Sequence, residues 1–173
     1  MENKSKYERY KRGQIIMANF SPSMGSELRN NHLAIVLNKH DSPYNGVLNV
    51  IPLSSKNKSY YLPIGSFLID KVFPFLDESR NAIQEDAAEF FSSAEYNSDK
   101  FQEILNNLMK FNDVLKTYAS MNKESFAMIC NITTISKLRI LKPINQYDPI
   151  KLVRIDDDIL SKIDSEIIKQ YTK

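Results

Sequence analysis

"HLAIVLNKHDSPYNGVLNVIPLS", residues 32–54, holds two apolar runs parted by a turn-rich connection. The first run, "HLAIVLN", is too short for a stable helix and rich in β-branched residues, which predicts a buried strand ending near Asn38. "DSPYNG" interrupts it, and Asn45-Gly46 is the strongest hairpin signal in the chain. "VLNVIPLS" then predicts a second strand. Two apolar strands in hairpin order give the fold a β centre.

On the N-terminal side, "GQIIMANF" (13–20) is a short apolar segment bounded by Gly13 and by Ser21-Pro22-Ser23, and reads as a strand. On the other side, "SSKNKSYYLPIG" (54–65) leads from polar residues into a further strand near Tyr60 to Ile64, cut short by Pro63 and Gly65. Between about Phe67 and Lys123 the pattern turns helical. Phe101, Ile104, Leu105, Leu108 and Leu115 follow the spacing of an amphipathic helix, with Asp99 near its start. β character returns in "SFAMICNITTISKLRIL" (125–141), two short runs parted near Asn131, the second carrying Lys137 and Arg139. "RIDDDILSKIDSEIIKQY" (154–171) closes the chain as a helix with Asp156 as cap and Ile155, Ile159, Ile163 and Ile167 along one stripe. The expected fold is therefore mainly β with helices, an α+β class: one domain over residues 1–173, with a helical insertion at about 67–122 and a C-terminal helix.

The totals bound the function. Hydrophobic residues make up 42% and charged residues 25% of 173, the balance of a soluble globular domain. A net charge of +2 is too mild to argue by itself for nucleic-acid binding, so only a local basic cluster carries that case. The single cysteine, Cys130, excludes an internal disulfide and reads as a buried thiol in a reducing compartment. The polar N-terminus lacks the apolar core of a signal peptide, and no run approaches the about 18 apolar residues of a membrane span; the expected location is the cytoplasm.

Two histidines and one cysteine without zinc-ligand spacing leave no standard metal site. "IDDDI" reads as a solvated helix start, because carboxylates one and two residues apart diverge on a helix. Four glycines are too few for a glycine-rich phosphate loop. What remains is Glu27, Arg29 and His32 ahead of one strand, and Ser54 and Ser55 at the end of the next. Taken singly, His32 is a histidine bonding a loop carbonyl, Glu27 a bond to loop amides, Arg29 a solvated side chain, and the serines are strand-end turn residues. Taken jointly, the hairpin brings the His32 and Ser54 ends to one rim if the register permits. That rim is basic: Lys56 and Lys58 follow the serines, and Arg29 precedes the histidine, so it offers an anion site. Tyr60 and Tyr61 offer stacking surfaces for unpaired bases, or core packing instead.

In "RGQIIMANFSPSMGSELRNNHLAIVLN", "VLNVIPLSSKNKSYY" and "SFAMICNITTISKLRILK", taken in that order, the chain resembles the MazF/PemK (Kid) toxin family. Asn19-Phe20-Ser21-Pro22, Gly25-Ser26-Glu27 and His32-Leu33 stand where that family has its opening signatures. Leu53 to Lys56 and Ile132 to Arg139 stand where it has its later ones. The resemblance covers roughly residues 10–66 and 123–145, and the helical insertion has no counterpart in it. It implies an SH3-like β-barrel that forms a homodimer. It also implies a metal-independent, cofactor-free endoribonuclease that cuts single-stranded RNA such as mRNA at short sequences by 2′-hydroxyl attack. As the toxin of a type II toxin–antitoxin pair, it would be silenced by an acidic antitoxin.

Two departures bear on mechanism. His32 stands where the family has a catalytic arginine, and Ser54 where it has a threonine. Serine keeps the hydroxyl. Histidine brings a group that titrates near neutrality and moves protons, but is a weaker anion stabiliser than a permanent cation. The expected catalytic set is His32, Ser54, Arg29 and Glu27, with Arg29 supplying the missing charge. Ser55, Lys56, Lys58, Tyr60, Lys137 and Arg139 are the expected substrate contacts. The alternative is a barrel that has lost catalysis and survives as a nucleic-acid- or partner-binding module.

Overall fold

The computed structural model describes residues 6–25, 27–93, 96–119, 121 and 123–172. Ala34, Ile35 and Val36 are all fully buried. Both faces of their strand are covered, which is why "AIVL" shows no apolar and polar alternation. The strands are β1 (Ile15–Asn19), β2 (Asn31–Val36), β3 (Val47–Ser54), β4 (Leu62–Gly65), β5 (Ser125–Ala127) and β6 (Thr133–Ser136). The helices are α1 (Phe67–Ser92), α2 (Ser98–Ala119) and α3 (Asp157–Tyr171). The expected α+β class is what is found.

The sheet runs β1-β2-β3-β5-β4, with β6 also paired to β3, and every pairing is antiparallel. β5 and β6 share one edge of β3: Leu53 faces Ala127 and Val50 faces Thr133. A short 3-10 helix, Ile129–Asn131, takes up the slack between them. Side chains two apart share a face, so Ile16, Ala18 and Phe20 meet Ala34, Val36, Leu48, Val50 and Ile135 in one core cluster.

Lys137 and Arg139 do not continue a strand. They coil into a second 3-10 helix, Lys137–Arg139, where the Ser136 hydroxyl accepts the Leu138 N–H. Only then does the chain return to β1, through a bridge between Ala18 and Ile140 and a Leu141 N–H to Met17 carbonyl bond of 2.8 Å. The order β1-β2-β3-β6 thus curls back on itself without a ladder closing it. The expected barrel keeps an open seam between β1 and β6.

Other expectations shift in detail. The link from β2 to β3 is a ten-residue loop rather than a tight Asn45-Gly46 turn, with the Asn45 N–H bonding the Ser42 carbonyl at 3.0 Å around Pro43 and Tyr44. Gly46 is needed for another reason: a Cβ there would meet the Tyr7 ring at 3.2 Å. Pro63 lies within β4, which tolerates it as the last strand of the sheet order. Cys130 is exposed, not buried, because the Ile129–Asn131 helix turns it outward. Asp156 occupies the N-cap of α3, but its side chain makes no cap hydrogen bond. Asn97 rather than Asp99 caps α2, its Oδ1 accepting the N–H groups of Asp99 and Lys100 at 3.0 and 3.1 Å.

The chain divides into two compact units: Met1–Phe67 with Lys123–Lys142 and Ile150–Lys173, and Leu68–Asn122 with Pro143–Pro149. Within the second, Phe90 stacks on Phe101 with ring centres 5.8 Å apart, joining α1 to α2. The Tyr118 hydroxyl donates to Asp148 at 2.6 Å, and the other Asp148 oxygen accepts the Ile144 N–H at 2.8 Å. Burial and this carboxylate hold the Tyr118 phenol well above its ordinary pKa of 10.0. No helix among the described residues is long and apolar enough to cross a membrane.

In the first unit, a buried ammonium gathers three segments. Lys137 Nζ donates to the Asp41 carboxylate at 2.7 Å, to the Glu8 carbonyl at 2.9 Å and to the Ser42 carbonyl at 3.0 Å. Both side chains of the ion pair are almost wholly buried, at 2% and 1% exposed. The same Asp41 oxygen accepts the Tyr10 N–H at 2.9 Å, and the ammonium lies 5.7 Å from the centre of the Tyr10 ring. A Lys137→Met variant strands the Asp41 charge and is expected to lose on the order of 3–5 kcal/mol of unfolding free energy in urea titration. The double variant with Asp41→Leu is expected to lose less, because it removes both charges.

A raised phenol pKa contributes stability that is present below the unfolded value of 10.0 and is lost as pH rises above it. Tyr118→Phe is therefore expected to cost about 1.5–3 kcal/mol at neutral pH. The same variant should flatten the alkaline fall of the thermal midpoint, measured by circular dichroism.

Candidate active site

The β2 to β3 ladder pairs Val36 with Val50, Ile35 with Ile51 and Ala34 with Pro52, and stops there. The same register, if carried two residues past that last pair, would set His32 opposite Ser54 on the face of Ala34 and Val50. His32 is half-buried, its ring edge-on to Phe20 with centres 6.1 Å apart. Its Nε2 lies 2.8 Å from the Arg29 carbonyl oxygen. A carbonyl only accepts, so Nε2 carries the hydrogen in this contact, and Nδ1 has no hydrogen-bond partner among the described residues. The imidazole thus bonds its loop and keeps one nitrogen in reserve.

Backbone bonds hold that loop at both ends. The Phe20 N–H donates to the Asn30 carbonyl at 2.9 Å, and the Asn30 N–H to the Ser21 hydroxyl at 2.9 Å. Asn30 adopts a φ of 66°, in the left-handed region that asparagine tolerates better than most residues. Glu27 accepts the Met24 N–H at 2.9 Å through Oε2 and returns its own N–H to the Met24 carbonyl at 3.1 Å. Arg29 is exposed, its Nη2 donating to the Gly25 carbonyl at 3.2 Å. Leu28 between them is the anchor. It packs against the core cluster of β1, β2 and β3 and also against a second one of Tyr61, Phe126 and Met128.

Ser54 ends β3 in a turn, its Oγ accepting the Lys56 N–H at 3.0 Å and donating to the Lys56 carbonyl in a long bond of 3.5 Å, which a better acceptor would displace. Ser55, Lys56 and Lys58 follow, all exposed. Lys58 Nζ lies 5.4 and 5.3 Å from the ring centres of Tyr60 and Tyr61, which meet edge to face at 4.8 Å. A hydrogen bond with Tyr60 raises the Lys58 pKa, and burial raises that of Tyr61. Tyr60 is exposed and Tyr61 buried, so one tyrosine is left for stacking and the other is core.

Along the open seam lies a cavity of about 590 Å³, bounded by Phe20, Glu27 and Leu28 on one side and by Asn131 to Ser136 and Arg139 on the other. Glu27 and Arg139 are the two expected site residues that line it; His32 and Ser54 are not among its lining residues. Arg139 is half-buried and donates through Nη1 to the Ser21 carbonyl at 3.2 Å, tying the 3-10 turn to the Glu27 loop. Lys137, expected to contact substrate, points the other way. Its ammonium is buried on Asp41 and two carbonyls, so no proton is left for a phosphate.

Leu28 and Asn30 had no role in the sequence reading, and Thr133 to Ser136 were read only as part of the Ile132 to Arg139 motif, not as a cavity wall. The Asn30-Asn31 pair was the available signal for a left-handed loop exit.

No curated protein matches this chain. A crystal structure of MazF (Form-I) from Deinococcus radiodurans is similar over 94% of this chain and 96% of that one, at 11% sequence identity and a TM-score of 0.49. Residues 11–75 match the family model of the PemK-like, MazF-like toxin of type II toxin–antitoxin systems. That segment contains β1, the Glu27 loop, β2, β3 and the lysine loop, which hold two of the three stretches that carry the resemblance read from the motifs; the third, residues 125–142, lies outside it. Over residues 11–75, this chain is therefore similar to the MazF/PemK toxin family of type II toxin–antitoxin systems.

Proposed function

We propose that the chain is a sequence-selective endoribonuclease that cleaves single-stranded RNA by 2′-hydroxyl attack, using side chains alone. As a toxin it would act as a homodimer in the cytoplasm and be silenced by an acidic antitoxin. What supports this reading is the β2 to β3 register, whose extension past its last pair, Ala34 with Pro52, would set His32 and Ser54 on one face, together with the bond between His32 Nε2 and the Arg29 carbonyl. In the proposed reaction Nδ1 of His32 takes the 2′-hydroxyl proton as O2′ attacks phosphorus. The bond from phosphorus to O5′ breaks, water protonates the departing oxygen, and a 2′,3′-cyclic phosphate and a 5′-hydroxyl remain. The Ser54 hydroxyl donates to a non-bridging oxygen, and the Arg29 guanidinium, on its exposed loop, offsets the charge that builds there. Lys56, Lys58 and Tyr60 hold the flanking strand by charge and stacking. Glu27 keeps the loop in shape through Met24.

The family's arginine is a fixed cation, and a histidine in its place also favours the second reading, a barrel that binds RNA or a partner without cutting. A cleavage assay separates the two. His32→Ala is expected to lose about 10²–10⁴ in cleavage rate while still binding RNA. Ser54→Ala is expected to lose about 10² and Ser54→Thr little. A His32→Ala protein that cuts like the unaltered chain removes the histidine from the mechanism. An unaltered chain that binds RNA, cuts none and leaves growth unaffected on expression establishes the binding module.

A further inference from the structure

Within the proposed nuclease, we infer that the seam cavity is a guanine pocket, with Glu27 reading one edge of the base and Arg139 the other; this rests on the reading of the chain as an RNA-binding protein. Both residues line the same cavity of about 590 Å³, which has ample room for one base. Each has unspent hydrogen-bonding capacity. Glu27 uses Oε2 on the Met24 N–H, and its Oε1 accepts nothing among the described residues. Arg139 uses Nη1 on the Ser21 carbonyl, and its remaining donors have no partner among the described residues. The two do not pair with each other, although they have opposite charge and line one hollow. Each is also held by its one bond, so neither must be ordered anew when a ligand arrives.

An acceptor-only carboxylate and a donor-only guanidinium on one cavity ask for a planar ligand with donors on one edge and acceptors on the other. Among the RNA bases guanine has that pattern: N1–H and the N2 amine suit the carboxylate, while O6 and N7 suit the guanidinium. Adenine has N7 but an amine in place of O6, and an unprotonated N1 that would face the carboxylate. Cytosine offers its N4 amine without N7. Uracil has no amine. Phe20, Leu28 and Pro52 supply apolar surface for the faces of the ring. Thr133, Thr134 and Ser136 on the same lining add neutral groups, so the charge selectivity rests on Glu27 and Arg139.

The test uses the full chain and 2′-O-methyl oligouridine probes, which resist 2′-hydroxyl attack, with one central guanine, adenine, cytosine, inosine or 7-deazaguanine, read by fluorescence anisotropy. The guanine probe is expected to bind about 10- to 100-fold tighter than the adenine, cytosine and all-uridine probes. Inosine, lacking the N2 amine, and 7-deazaguanine, lacking N7, should each lose part of that margin. Glu27→Gln, which keeps an acceptor for Met24, should erase the difference between guanine and inosine. Arg139→Met should erase the difference between guanine and 7-deazaguanine, whereas Lys56→Ala should weaken all probes alike. Equal binding of all probes by the unaltered chain overturns the inference, as does a guanine preference that survives in both Glu27→Gln and Arg139→Met. If the probes bind without preference and the matching ribo-oligonucleotides are cut, the nuclease stands and the pocket assignment falls. If no RNA is bound or cut, both fall.

Discussion

β3 is hydrogen-bonded along both edges, to β2 on one side and to β5 and β6 on the other. Its register is therefore fixed from two directions, and a slip against either neighbour would turn its apolar residues away from the core. Everything proposed for the site inherits that constraint. The Ser54 end is held because Leu48 and Val50 cannot leave the cluster they share with Ile135, Ala34 and Val36. The His32 end is held through Ala34, Ile35 and Val36, the buried half of β2, and through the pairing of His32 with Ala18 of β1. Leu28, packed on two apolar clusters at once, then fixes how the loop ahead of His32 crosses this end of the sheet.

Two neighbouring cations show how tertiary context assigns roles that local pattern does not. Lys137 and Arg139 lie two residues apart and looked equivalent as expected substrate contacts on one short apolar run. In the fold one is an internal tie between the N-terminal segment, the β2–β3 connection and the 3-10 turn, with Asp41 as its counter-ion. The other lines the seam and bonds the loop beyond β1. A buried ammonium is tolerated only because all three of its protons are spent. The guanidinium, with five donors, keeps most of them unspent after its one structural bond.

The parts legible in the sequence were those with a strong local cause. "VLNVIPLS" coincides with β3 from its first residue to its last, because a bounded run of β-branched and apolar residues has no competing helical solution. The helices α1 and α2 declared themselves through helical spacing. What was not legible depended on contacts distant in sequence. The turn signal at Asn45-Gly46 lost to a longer loop centred on Pro43 and Tyr44, where Tyr7 packs over Gly46. Cys130 looked apolar by its neighbours, yet the Ile129–Asn131 turn exposes it. The seam was invisible, since its walls come from opposite ends of the first unit's sequence.

That same three-residue turn, Ile129–Asn131, has a wider consequence for how this protein can change over time. β5 and β6 lie on one edge of β3, yet the offset between their pairings is an odd number of residues, so the turn works as a half-step in the pleat. It lets Phe126 share a face with Ser54 while Ile135 shares one with Leu48. Losing or gaining a single residue there would swap inner for outer positions along the whole of β6. The length of this turn is therefore locked.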